Sequence, residues 1–148
     1  MKKILSAIVI VFILWACEST KMKNTTPQPE PASGTAQLNG TWQLNYISGP
    51  RIAFEGLYPD KKPQITFNTA DTSFSGNTGC NNFRGKLDAG ASSIHFPEAM
   101  AMTRMMCAGE GENVFINTLK KINKYSISDS TLNLITGDVA MMRFVKKQ

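Results

Sequence analysis

The sequence predicts a mainly β domain with one α-helix, built as a small curled antiparallel sheet or partly open barrel of short strands with the helix packed against it. Three observations carry this. Apolar and polar residues alternate over short runs, as at Trp42, Leu44 and Tyr46, which is the period of a half-buried strand. Clusters of glycine, asparagine, aspartate and proline separate these runs at short intervals, the pattern of an all-β domain with tight turns. Only Glu110 to Ile122 has a helical period, with Phe115, Leu119 and Ile122 on one face.

The chain of 148 residues opens with a targeting segment, residues 1–16. Lys2 and Lys3 precede the apolar run Ile4 to Trp15, which is shorter than the roughly 20 residues needed to span a bilayer as a helix. The run ends in Leu14-Trp15-Ala16-Cys17, which resembles a bacterial lipobox. Cys17 is therefore the expected lipidation site and new N-terminus, anchored through its acyl chains. Residues 17–37 are poor in large apolar side chains, contain Pro27, Pro29 and Pro31, and read as a flexible tether. A single domain over residues 38–148 follows.

Within that domain, Thr41 to Tyr46 reads as the first strand. Ser48 to Pro63 reads as an irregular connection, with a helical turn at Arg51 to Phe54. Ile65 and Phe67 mark the second strand. Ser73 to Gly85, with the sequence SFSGNTGCNNFRG, reads as strand, tight corner and strand, and places Cys80 at the corner. Ile94 and Phe96 form a short strand ended by Pro97. After the helix, Tyr125 and Ile127, then Leu132 and Leu134, then Met142 and Phe144 mark three strands joined at Asp129-Ser130 and Gly137-Asp138. Glu110 and Glu112 near the helix start, with Lys120, Lys121 and Lys124 near its end, suit the helix dipole.

The segments LNGTWQL at 38–44, ITF at 65–67, SGNTGCNNFRG at 75–85 and AMTRMMCA at 101–108 occur in this order, and LNLITGDVAMMRF closes the chain. Together they resemble the META domain of heat-inducible, HslJ-type bacterial lipoproteins. The resemblance implies a compact β-rich fold in the cell envelope, associated with stress responses and drug tolerance. It implies no known reaction.

Three candidate sites follow from the residues. With Cys17 lipidated, Cys80 and Cys107 remain as an even pair in an oxidising compartment. A disulfide between them would close a loop of about 27 residues and stabilise the domain by about 3.5 kcal/mol; two separate buried thiols are the other reading. Asn81, Asn82, Arg84 and Arg104 form a possible binding surface, although turn closure also accounts for the asparagines and a carboxylate partner for Arg104. Met102, Met105, Met106 and Cys107 offer soft ligands for Cu(I), yet methionines fill irregular cores without metal, so the expectation is no metal site.

No catalytic residues are expected. His95 is the sole imidazole, and no HExxH, GxSxG or phosphate-cradling loop is present. The formal charge of +5 falls to +3 without Lys2 and Lys3, and its cations are scattered, which disfavours nucleic acid. The reading is a non-catalytic, cofactor-free envelope lipoprotein, held on the periplasmic side of the outer membrane through Cys17. It is expected to be monomeric and to bind an envelope protein or wall component. The alternatives are a carrier for a small hydrophobic ligand, with a pocket of about 300–1,000 Å³, and Cu(I) binding.

Overall fold

The structure is a computed structural model that describes residues 34–148. The targeting segment, Cys17 and most of the tether lie outside the described residues. Residues 34–37, expected as the end of the tether, form the helical turn α1 (Gly34–Leu38) together with Leu38, the expected first residue of the domain. Leu38 is fully buried and its carbonyl accepts a 2.7 Å hydrogen bond from Trp42 Nε1, so this turn belongs to the core.

Eight strands form one antiparallel sheet. These are β1 (Gly40–Ile47), β2 (Gln64–Asn68), β3 (Ser73–Asn77), β4 (Asn82–Lys86), β7 (Ala101–Met102), β8 (Lys124–Ser128), β9 (Thr131–Thr136) and β10 (Val139–Lys146). Their spatial order is β7-β4-β3-β2-β1-β10-β9-β8, so β7 and β8 are edges and the sheet is not closed into a barrel. The short strands β5 (Asp88–Ala89) and β6 (Ile94–His95) pair separately. The helical turn expected at Arg51 to Phe54 starts three residues later, as α2 (Phe54–Leu57). The helix α3 spans Gly111–Leu119, and turns formed by Lys121 and Ile122 amides bonding to Thr118 and Leu119 carbonyls lead out of it. Among the described residues, no helix is long and apolar enough to cross a membrane.

Alternation decides which face is buried. Trp42, Leu44, Ile65, Phe67, Phe74, Phe83, Leu132, Leu134, Met142 and Phe144 all turn inward. Phe115 and Leu119 of α3 join the same core with no exposure, as the helical period requires. Phe96 sits edge-on to Phe74 with ring centroids 5.2 Å apart, and Phe83 packs on Phe115 at 5.6 Å. The interior is thus filled by side chains.

The other face is polar. Register places Arg84, Ser75, Thr66 and Thr41 in one row across β4, β3, β2 and β1. The Thr41 and Thr66 hydroxyls meet at 2.9 Å. Tyr46, Arg143 and Asn133 make another row toward β9, with the Arg143 guanidinium 5.1 Å from the Tyr46 ring centre.

Candidate functional site: a polar corner beside an open recess

The turn between β3 and β4 is tied by its own side chains. The Thr78 amide donates to the Asn81 carbonyl at 2.8 Å, while Thr78 Oγ1 accepts from the Asn81 amide at 3.0 Å. The Asn77 side chain closes on the Gly79 amide at 3.1 Å. Gly79 has φ 95°, and a Cβ there would stand 2.8 Å from the Lys61 carbonyl oxygen, so only glycine fits without displacement. Gly111 is held as tightly, since a Cβ would collide with the Leu57 carbonyl and the Tyr58 ring. Tyr58 donates its hydroxyl to the Gly111 carbonyl at 3.0 Å. Burial raises the Tyr58 pKa well above the ordinary tyrosine value.

Cys80 and Cys107 are joined by a disulfide, with Cα atoms 6.0 Å apart. This bond ties the corner to the segment that leads into α3. Asn81 makes the second tie. It is 1% exposed, which leaves its amide no access to water and requires protein partners. Its Nδ2 donates to the Met105 carbonyl at 3.0 Å and to Glu112 Oε1 at 3.2 Å. Its Oδ1 accepts from Thr103 Oγ1 and from the Met105 amide, both at 2.8 Å. Glu112 Oε2 in turn accepts from Thr78 Oγ1 at 2.6 Å and from the Asn81 amide at 3.3 Å.

These contacts revise three expectations. Asn77 closes the turn, whereas Asn81 reaches across to another segment because its amide points into the gap between β4 and α3. Glu112 does lie in the first turn of α3, but its carboxylate binds the corner as well as complementing the dipole. Arg104 is exposed and has no ion-pair partner among the described residues, so the expected carboxylate partner is not there. The sequence reading missed Glu112, Thr78 and Thr103. A helix-start glutamate and a loop threonine carry no linear signal of a shared partner.

The remaining candidates are dispersed. Asn82 and Arg84 are exposed on the outer sheet side, apart from the buried Asn81. Met102 is half-buried, while Met105 and Met106 are 60% and 101% exposed. Sulfur and carboxylate atoms of Cys80, Cys107 and Glu112 lie within 4.8 Å of one another. Bonded to each other, however, the two sulfurs supply no thiolate, the form that ligates soft metals. His95 is exposed on β6, across from Asp88.

An open recess of about 580 Å³ lies between α3 and the chain from Glu98 to Met105. Half-buried Met100, Met102 and Ile116 give it an apolar lining, and exposed Arg104, Asn113 and Asn117 a polar one. Lys120 bridges to Glu98 at 3.1 Å across one side. The arrangement sets a cross-linked polar corner beside a surface cleft. Such clefts bind by burying an apolar group while a few polar groups fix its orientation.

Two solved structures share this architecture. An NMR structure of a protein from Burkholderia xenovorans is 18% identical, with TM-score 0.61, and the match covers 100% of this chain and 99% of that one. A second NMR structure is 24% identical, with TM-score 0.55, and covers 76% of this chain and 92% of the other. Comparison with curated proteins finds no match. The family comparison matches residues 35–148, the whole sheet, both cysteines of the corner and α3, to the META domain, and the chain belongs to that family.

Proposed function

We propose that this META domain is a non-catalytic binding module of a cell-envelope lipoprotein. It contacts an envelope protein or wall component through the recess between α3 and the segment 98–105, as an accessory in stress response or drug tolerance. The observation that carries the reading is the division of labour at the corner. Asn81, Thr78 and Glu112 are engaged with one another, whereas Arg104, Asn113 and Asn117 beside the recess face solvent. A nucleophile, a base and an orienting group would have to meet for turnover. Here the converging polar groups meet to hold two segments together.

The lipobox-like Leu14 to Cys17 supports the anchor, which would hold the domain near partners at the membrane. Labelling cells with an alkyne fatty acid should mark the protein, and Cys17→Ser should abolish the label. For the partner, a photo-crosslinking residue placed at Asn117 should yield one discrete adduct in the host envelope. The same residue at Ser126, on the outer face of β8, should not. Equal adduct patterns from both positions would defeat the assignment of the recess.

A second reading is a carrier for a small ligand. It draws on the recess volume, which lies inside the range of about 300–1,000 Å³ usual for ligand sites. The filled sheet interior directs such a ligand to the recess instead of the space under the sheet. Native mass spectrometry of protein purified gently from the periplasm separates the two, because a retained small molecule adds mass that denaturation removes.

A further inference from the structure

The outer face of the sheet has a chemistry that the recess does not explain. Arg84 and Lys86 stand two residues apart on β4 and therefore project from the same face, roughly 7 Å from each other. Their cross-strand neighbours on β3 are Ser75 and Ser73, respectively. The next strand adds Thr66 beside Ser75 and Asn68 beside Ser73, and Thr41 continues the first row. Both cations are exposed, and neither has an ion pair or hydrogen bond among the described residues.

No carboxylate occupies a strand position on this face. Of the nearest acids in sequence, Asp88 lies in the separate β5 strand, and Asp71, in the β2–β3 turn, accepts from Asn68 Nδ2 at 2.6 Å. The Lys86 row therefore ends on a carboxylate, whereas the Arg84 row of Ser75, Thr66 and Thr41 does not. Two shallow recesses of about 530 and 550 Å³ flank Arg84 and share Ser75 and Ala101. The result is a cation pair from which a run of uncharged hydroxyls and amides leads across three strands.

Other anionic partners fit this patch less well. A bilayer would be expected to meet an apolar wedge beside the cations, but the exposed Tyr46 and Val145 stand on β1 and β10. The exposed Met105 and Met106 follow β7 at the Asn81 end of β4, the end opposite Lys86. A single-stranded nucleic acid would need exposed aromatic rings for its bases, and Phe74 and Phe83 beside Arg84 are buried. A polymer with carboxylates and many hydroxyls fits both parts of the face. We propose that the Arg84–Lys86 end of the outer sheet face binds an acidic, uronate-bearing glycan. Its carboxylates would sit at the two cations, Arg84 offering a planar fork and Lys86 a point charge. Its hydroxyls would hydrogen-bond along Ser75, Thr66 and Thr41.

The test is a titration of the full chain with polygalacturonate oligomers, with neutral dextran and phosphatidylglycerol vesicles as parallel probes. Polygalacturonate should bind and weaken with salt, and dextran should bind far less. The Arg84→Ser/Lys86→Ser variant should lose at least about tenfold in affinity. Lys61→Ser/Lys121→Ser, which removes the same charge from exposed positions off this face, should not. Ser75→Asp, which places a carboxylate in the Arg84 row at an exposed position, should also abolish binding with the melting temperature unchanged. Equal losses in both double variants would reduce the effect to net charge and overturn the site. Binding to the vesicles in preference to the glycan, or no binding to polygalacturonate, would overturn it as well.

Discussion

At the β8–β10 end of the sheet every strand pairs with its neighbour in sequence, through two-residue turns at Asp129-Ser130 and Gly137-Asp138. At the other end, β4 pairs with β7 only after the intervening residues 87–100, and only at Phe83–Met102 and Arg84–Ala101. The hairpins close short loops, and their inward residues Leu132, Leu134, Met142 and Phe144 are fully buried. The crossover closes a longer loop with few ladder bonds. Covalent and side-chain ties, the Cys80–Cys107 bond and the Asn81–Glu112 contacts, complete that end. Where topology makes pairing local, apolar burial suffices. At the β4–β7 end, where the pairing is short as well as non-local, the chain supplies specific polar and covalent links.

This contrast is open to direct attack. The largest effect should come from the hairpin end, where Phe144→Ala removes a fully buried ring and should cost about 4 kcal/mol in chemical denaturation. Hydrogen exchange should then rise throughout the sheet, because the loss falls on the common core. Replacing both cysteines, Cys80→Ser/Cys107→Ser, should cost about 3.5 kcal/mol from loop entropy. Its exchange increase should concentrate in residues 78–82 and 103–112. A wild-type unfolding midpoint that ignores reductant would remove the covalent tie from the comparison.

Asn81→Ala should be milder, at about 2 kcal/mol, since it strands the Met105 amide and takes the donor from Glu112 Oε1 without opening the disulfide. Combining it with the cysteine pair should give less than the sum of the two, because both hold the same segment. A strictly additive result would mean that the ties act on separate motions. Tyr58→Phe should be the smallest change, about 1 kcal/mol for the hydrogen bond to Gly111.

Tyr58 also sets an alkaline limit. Its folded pKa is raised by burial above the unfolded value of about 10. The unfolded state therefore loses its proton first as pH rises. Stability should be full below about pH 10 and fall above it as the folded state keeps a proton the unfolded state has released. Tyr58→Phe should flatten this limb without erasing it, because burial raises Tyr125 in the same direction, against a lowering from its hydrogen bond with Thr35. A limb equally steep in the variant would exclude Tyr58 as its source.

By itself the sequence determined what depends on neighbours along the chain. Alternation placed the inward residues of β2, β4, β9 and β10 and, in β1, Trp42 and Leu44. A bulge between Leu44 and Tyr46 breaks the period there, turning Tyr46 outward and burying Ile47. The helical period placed Phe115 and Leu119 on the buried side of α3. Motif content was enough for the family resemblance, and the turn residues sufficed for the hairpins. The tertiary structure alone decided what depends on residues far apart in sequence. Whether the sheet closes into a barrel rests on how β7 and β8 end, not on any local period. Asn81 and Glu112 are 31 residues apart, and in sequence each has an adequate local reason, turn closure for one and the helix dipole for the other. Only packing shows that the two side chains meet, because an amide buried away from water must find its partners wherever the fold brings them.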